Sequence, residues 1–362
     1  MRERLAQDLI DLMLIPGLSG HEDRVRRAVA DRLGAMGVKT VTDRMGNLIA
    51  SFIGDAGLPS VMVFAHMDQL GFFVRKIDPD GMIRVERMGG VPERALAAQA
   101  VVLCGDAGYV PGVSGNKSHH ATAPEEKYHV LKAPEIAIDT GHGSKSAVEA
   151  AGIRIGTPVV YCPSATRLAG GRITGTSVDD RAGCAVLIEL ARRLKDRPTG
   201  PPVHLVWSVQ EEFNLRGAQV AAQILKPDIA IQIDLMLATD CPGMADRGEM
   251  VLGGGPGMSL YSFHGRGTLN GTIPHPALVR LMETASAAER LPLQRSAQVG
   301  VLTDSSYVQL TGQGVACIDV GFPCRYTHSA NEVCDRSDLD GLTRLIDAAL
   351  GRIGPGFRLE RD

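Results

Sequence analysis

The stretch Ser60-Val61-Met62-Val63-Phe64-Ala65-His66-Met67-Asp68 decides the reading of the fold. Val61 to Ala65 is a continuous apolar run of strand length, and an imidazole and a carboxylate follow it at once. Apolar runs without polar alternation suit strands buried on both faces of an α/β sheet. Ligands of such sheets bind beyond the carboxyl ends of the strands, which is where His66 and Asp68 fall. Three later runs are of the same kind: Val203 to Val209, Ile229 to Leu235 and Ala316 to Val320. Helical spacing separates them, from about Arg181 to Leu194 (Val186, Leu187, Leu190 and Leu194 on one face), over Gly217–Leu225, over His275–Arg290 and over Leu339–Ile353. Strands alternating with helices predict a three-layer α/β unit around a mostly parallel sheet.

Working outward, Leu5, Leu9, Leu12 and Ile15 recur at helical spacing, and Pro16-Gly17 stops that helix. Ser19 is expected to cap a second helix carrying Val25, Val29 and Leu33, and Val41 to Phe52 to hold a strand pair around Asn47. Residues 69–165 read differently. Short β-like pieces (Gly71–Ile77, Met82–Glu86, Ala100–Cys104, Pro158–Tyr161) are punctuated by Gly and Pro, and Gly115–Lys132 is polar and turn-rich. This predicts a small β-rich domain at 69–165 inserted into an α/β domain made of 1–68 and 166–362.

Composition narrows the function classes. The 362 residues are 44 % hydrophobic and 22 % charged, an ordinary globular balance. Lys plus Arg number 38 against 41 Asp plus Glu, a net charge of −3, and aromatics are 4 %. Neither charge nor aromatic content supports nucleic acid or an acidic membrane as partner. The seven Cys are scattered without a C-x-x-C, which predicts reduced thiols rather than a disulfide framework or zinc module. No apolar run reaches membrane-spanning length and no signal-peptide core is evident, so a cytoplasmic location is expected.

Nucleophile motifs are missing: there is no G-x-S-x-G, no P-loop and no H-E-x-x-H. Gly253-Gly254-Gly255-Pro256-Gly257 reads as a turn. What remains is polar residues at strand ends: His66 and Asp68, Glu211-Glu212, Asp234, and His328, with Asp179-Asp180 opening the amphipathic helix. Taken singly, each has an ordinary explanation. Asp179-Asp180 reads as a helix cap, Glu211-Glu212 as a solvated pair and His328 as a loop residue. Asp234 is harder to dismiss, because an unpaired carboxylate within Ile231 to Leu237 would be costly. Five segments converging on one sheet edge outweigh the separate readings. Two imidazoles and three carboxylates suit a pair of divalent ions such as Zn²⁺ or Co²⁺, with Mn²⁺ also possible. One carboxylate bridges ions about 3.5–4 Å apart, and a free carboxylate beside them can take a proton from water. Along an extended segment neighbouring side chains diverge, so Glu211 and Glu212 can divide these tasks. Asp68, two residues beyond His66, can accept from the second imidazole nitrogen.

At these residues the sequence resembles the glutamyl-aminopeptidase and tetrahedral-aminopeptidase family of dinuclear metallopeptidases, some of whose members carry endoglucanase-like or fructose-operon-like names. The resemblance covers nearly the whole chain, through Ile15-Pro16-Gly17-Leu18-Ser19-Gly20-His21-Glu22, Ala65-His66-Met67-Asp68-Gln69-Leu70-Gly71-Phe72, Gly112-Val113-Ser114-Gly115-Asn116-Lys117, Val178-Asp179-Asp180-Arg181-Ala182-Gly183-Cys184, Val209-Gln210-Glu211-Glu212, Leu215-Arg216-Gly217-Ala218, Ala238-Thr239-Asp240 and Arg325-Tyr326-Thr327-His328-Ser329. It implies His66, Asp179, Glu212, Asp234 and His328 as metal ligands, with Asp179 bridging. It implies Glu211 as general base and acid, Asp68 as its catalytic companion acting through His66, and a cis peptide between Asp179 and Asp180. It further implies an inserted β-rich domain that dimerises, and homo-oligomers from dimers up to a tetrahedral dodecamer. The implied function is a metal-dependent aminopeptidase that removes N-terminal residues from short peptides with a water activated by two ions. Gln69 stands where the family usually has Glu, Asn214 where it has Gly, Lys117-Ser118-His119-His120 where a Pro-rich stretch is usual, and Val299 to Asp304 where a Gly-rich Thr-Asp segment is usual. Those departures keep open a deacetylase of N-acylated amino acids or sugars. A non-catalytic assembly protein with a vestigial site is the other alternative.

Overall fold

A computed structural model describes residues 1–197, 199–265 and 270–361. The strand Val61–His66 lies at the centre of a nine-stranded sheet, between Val203–Ser208 and Ile229–Leu237. Ile229–Leu237 in turn pairs with Ala316–Cys324. These four run parallel. Outside them Leu48–Phe52 and Gly257–Phe263 pair antiparallel to the central block. The sheet is therefore mixed rather than mostly parallel. At one margin Leu48–Phe52 leads into Val61–His66 through residues 53–60, a connection too short for the crossover that parallel strands need, so it lies antiparallel to the block.

The apolar runs owe their continuity to burial on both faces. Val61, Val63 and Ala65 join one core, while Met62 and Phe64 join another. Leu205 and Trp207 alternate with Val206, and Ile229 and Ile231 with Ala230, in the same way. The larger core is covered by the helices Arg2–Met13, Asp23–Ala35, Val178–Leu194, Pro276–Glu289 and Arg336–Leu350. The smaller lies under Gly217–Leu225 and the short helix Ser305–Val308. Trp207, fully buried, donates its indole N–H to the carbonyl of Cys184 at 3.2 Å, which ties the sheet to the long helix.

Six strands between Gly71 and Tyr161 close a separate barrel: Gly71–Ile77, Ile83–Met88, Ala137–Asp139, Gly108–Ser114, Ala100–Gly105 and Pro158–Tyr161. It has its own core, including Phe72, Val85, Leu103 and Val159. Ser19 does not cap the second helix. That helix, Asp23–Ala35, starts after Glu22, and the Ser19 hydroxyl is drawn instead to Asp68. Gln69 is buried and pairs with Gly17 in both directions, its amide oxygen accepting from Gly17 N and its own N–H donating to Gly17 O, each at 3.0 Å. Among the described residues no helix is long and apolar enough to cross a membrane.

Candidate metal centre

The carboxyl ends of the parallel strands deliver the polar residues to one edge. His66 is the last residue of its strand, Asp234 lies within Ile229–Leu237, and Glu211-Glu212 sit just past Ser208. Asp179 and Asp180 break helical geometry at the start of Val178–Leu194, and the peptide between them is cis. His328 lies in the turn between Ala316–Cys324 and Glu332–Asp335, with φ +66°.

These side chains converge into overlapping sets. One donor atom each from His66, Asp179 and Asp234 lies within 4.8 Å of the others, and the same holds for Asp179, Glu212 and His328. Asp179 belongs to both. Its Oδ1 is 3.0 Å from His66 Nε2 and its Oδ2 is 3.5 Å from His328 Nε2. Glu211, Glu212 and His66 make a third such set. Glu211 and Glu212 occupy a tight turn after Gln210 (φ +57°), not an extended segment, so their carboxylates stay close instead of diverging.

Hydrogen bonds fix each piece. Asp68 is buried and accepts from Ser19 Oγ at 2.5 Å and from the N–H groups of Glu211 and Glu212 at 3.0 Å each. Its Oδ1 lies 3.3 Å from His66 Nδ1, leaving Nε2 turned toward Asp179. Asp234 accepts from Leu235 N at 2.7 Å and from Gln232 Nε2 at 3.1 Å. Glu22 holds the turn before Glu211 by accepting from Gln210 N at 3.1 Å. Glu332 clamps two segments at once, accepting from Asp179 N at 3.0 Å and from His328 N at 2.7 Å. Glu332 and Gln232 carry no site signal of their own in the sequence, and Glu22 stands out there only as the end of the segment Ile15 to Glu22. A glutamate next after the turn bearing His328 was the available clue. His119 and His120 are exposed on a one-turn helix outside this cluster.

The electrostatics describe a site short of positive charge. Burial raises Asp180, Glu211 and Asp234 well above the usual carboxylate range, and neighbouring carboxylates push them further. Burial lifts Glu212 to about 7. Burial opposes charge on His66 and His328, yet the carboxylates around them hold both above the ordinary imidazole value. Asp179 is the exception: burial works to raise it, but the two imidazoles keep it well below its normal value. Among the described residues, the ion pairs of this carboxylate set go only to His66 and His328, with no Lys or Arg. Buried like charges without a counter-cation are costly. A shared carboxylate between two oxygen- and nitrogen-donor sets is the arrangement that a pair of divalent ions relieves. A cavity of about 720 Å³ opens over the cluster, lined also by Leu235, Met244, Val299 and Tyr307.

The family profile described as M42 glutamyl aminopeptidase matches residues 46–345. This chain belongs to that family. A relative, the lysyl aminopeptidase of Pyrococcus furiosus, is 34 % identical over 345 residues, covering 94 % of this chain and 95 % of its own. The solved aminopeptidase APDkam598 from the archaeon Desulfurococcus kamchatkensis superposes with a TM-score of 0.91 at 33 % identity, covering 98 % of this chain and 97 % of that one. The TET1 peptidase of Pyrococcus horikoshii, whose structure is described as assembling into a tetrahedron or a large octahedral shell, gives 0.86 at 26 % identity, covering 96 % and 99 %. As an M42 member the chain is an aminopeptidase, a hydrolase of peptide bonds.

Proposed function

We propose that this aminopeptidase removes N-terminal residues from short peptides with two divalent ions, Zn²⁺ or Co²⁺ by donor type. The observation that carries this is Asp179, shared between two ligand sets with Glu211 beside them. His66, Asp179 and Asp234 would hold one ion, and Asp179, Glu212 and His328 the other. Bound there, the ions would supply a site for the peptide's free α-amine, polarisation of the scissile carbonyl and acidification of a water. The chain's own residues do the rest. Glu211, buried and held by its backbone N–H on Asp68, accepts the water's proton at its carboxylate and returns it to the leaving amine. Asp68 orients the His66 ring and anchors the Glu211-Glu212 turn. The cavity's apolar wall at Leu235, Met244 and Val299 receives the substrate side chain.

In this reading the barrel region, 69–165, is an inserted unit through which copies associate, and 1–68 with 166–362 form the catalytic unit. By analogy with the TET1 peptidase, association extends from dimers to a tetrahedral dodecamer, and the protein works in the cytoplasm. The test is hydrolysis of aminoacyl-p-nitroanilides by protein restored with Co²⁺ or Zn²⁺. Wild type should turn over, and Glu211→Gln should fall by about 10²–10⁴ in kcat with its metal content unchanged. Equal inertness of both across a broad panel defeats the proposal.

A further inference from the structure

The barrel supplies none of the candidate ligands, yet it reaches the centre. Gly89 and Gly90 form the turn after the barrel strand Ile83–Met88. The carbonyl of Gly90 lies 3.0 Å from His328 Nδ1, so that nitrogen donates and Nε2 faces Asp179 and Glu212. A Cβ on Gly90 would come within 2.8 Å of His328 Nδ1 and 3.0 Å of Cε1. At Gly89, where φ is +77°, a Cβ would approach the Glu212 carboxylate at 3.4 Å and collide with Leu70. The turn is braced from behind: Arg87 donates to Val91 O at 3.0 Å and pairs with Glu93 at 2.6 Å. Among the described residues the other imidazole has no such contact, because His66 Nδ1 is held by Asp68, just past its own strand.

We propose that the Gly89–Gly90 turn of the barrel is a positioning element for the Asp179, Glu212 and His328 half of the centre alone. The inserted barrel then sets the orientation of one metal-binding imidazole and leaves the other untouched. The proposal rests on the two-ion reading above.

Gly90 gives a clean test. Its backbone is outside the left-handed region, and among the described residues the only neighbour a Cβ meets within 4 Å is the His328 ring. Gly90→Ala should therefore fold and displace that ring. Metal content and affinity are measured on dialysed full-length protein titrated with Zn²⁺, and the Co²⁺ form is followed by its visible spectrum. Wild type should take up two ions per chain. Gly90→Ala should keep one at wild-type affinity and lose about 10–100-fold in the other, with only one of the two Co²⁺ environments altered. Gly143→Ala, a barrel position where a Cβ meets nothing within 4 Å, should bind both ions as wild type does. Arg87→Met, which loosens the brace without adding bulk, should weaken the same ion by a smaller factor and covers a folding failure of Gly90→Ala. Two ions at wild-type affinity in Gly90→Ala and Arg87→Met, or equal weakening of both ions, overturns the positioning role and leaves the two-ion reading intact. A wild type that binds no ion overturns the two-ion reading itself.

Discussion

The helix Val178–Leu194 carries buried carboxylates near both ends, and the protein treats them in opposite ways. Toward the C-terminal end, Glu189 accepts from Arg4 and Arg192, at 2.8 Å and 2.9 Å. Burial works to raise Glu189, but those two guanidinium groups hold it below its normal value. At the N-terminal end, among the described residues, Asp179 and Asp180 find no Lys or Arg within ion-pair reach, and one Asp180 oxygen is buried without a hydrogen-bond partner. The same chemical group is neutralised from within the chain at one end and, on the two-ion reading proposed above, left for cations from outside at Asp179. Structural carboxylates come with their own counter-charge; those at a metal centre leave it to the ligand.

Metal removal tests this contrast most severely. Chelation should abolish peptide hydrolysis, and it should lower Tm through the N-terminal end of the helix. Each ion present at a hundredfold its Kd contributes about 2.7 kcal/mol to stability, readable by calorimetry with and without chelator. Asp234→Asn sharpens the contrast at the same centre. Because burial and neighbours raise Asp234, its ionised form destabilises the metal-free fold as pH rises past the usual carboxylate range. Metal-free Asp234→Asn should melt no lower than metal-free wild type at pH 8, while its gain in Tm on adding Zn²⁺ shrinks. A large loss of metal-free stability would break the comparison.

Glu189→Gln should behave in the opposite sense. Its cost of about 1–3 kcal/mol should appear in urea melts at pH 7 with metal present or absent. A folded-state pKa held low confers stability above the unfolded value near 4.5, and that stability disappears as pH falls through the folded pKa. The gap between wild type and Glu189→Gln should therefore close on acidification. Arg4→Gln is the smallest effect. Arg4 is half-exposed and Arg192 remains, so the loss should stay under about 1 kcal/mol and diminish further in salt.

The parallel strands and their terminal side chains were legible because two-sided burial writes an unbroken apolar run, and the residue that ends the run must be polar for a reason. His66 announces itself this way, and Asp234 does so as a lone carboxylate inside such a run. The helices over Gly217–Leu225 and Pro276–Glu289 were legible from period alone. Glu332 was not, since it belongs to a four-residue strand too short to show a period, and its role is to accept backbone N–H groups from segments distant in sequence. Ser19 was misread for a related reason. A serine ahead of a helix has the local pattern of a cap, and only the fold reveals that Asp68 is a better acceptor nearby. Gly90 carries no pattern at all; its importance is the absence of a side chain beside an imidazole hundreds of residues away. The direction of the sheet margins was equally hidden, because hairpin and crossover differ in connection, not in strand composition.

The clamp by Glu332 also has a bearing on how the protein is made. Chains emerge and fold from the N-terminus onward, so His66 and its neighbours exist long before Glu332 has been synthesised. Until it arrives, the backbone N–H groups of Asp179 and His328 lack the carboxylate to which both donate. The clamp closes only once both segments it joins have been made, so the mutual placement of Asp179 and His328 is a product of long-range folding and not of either segment alone.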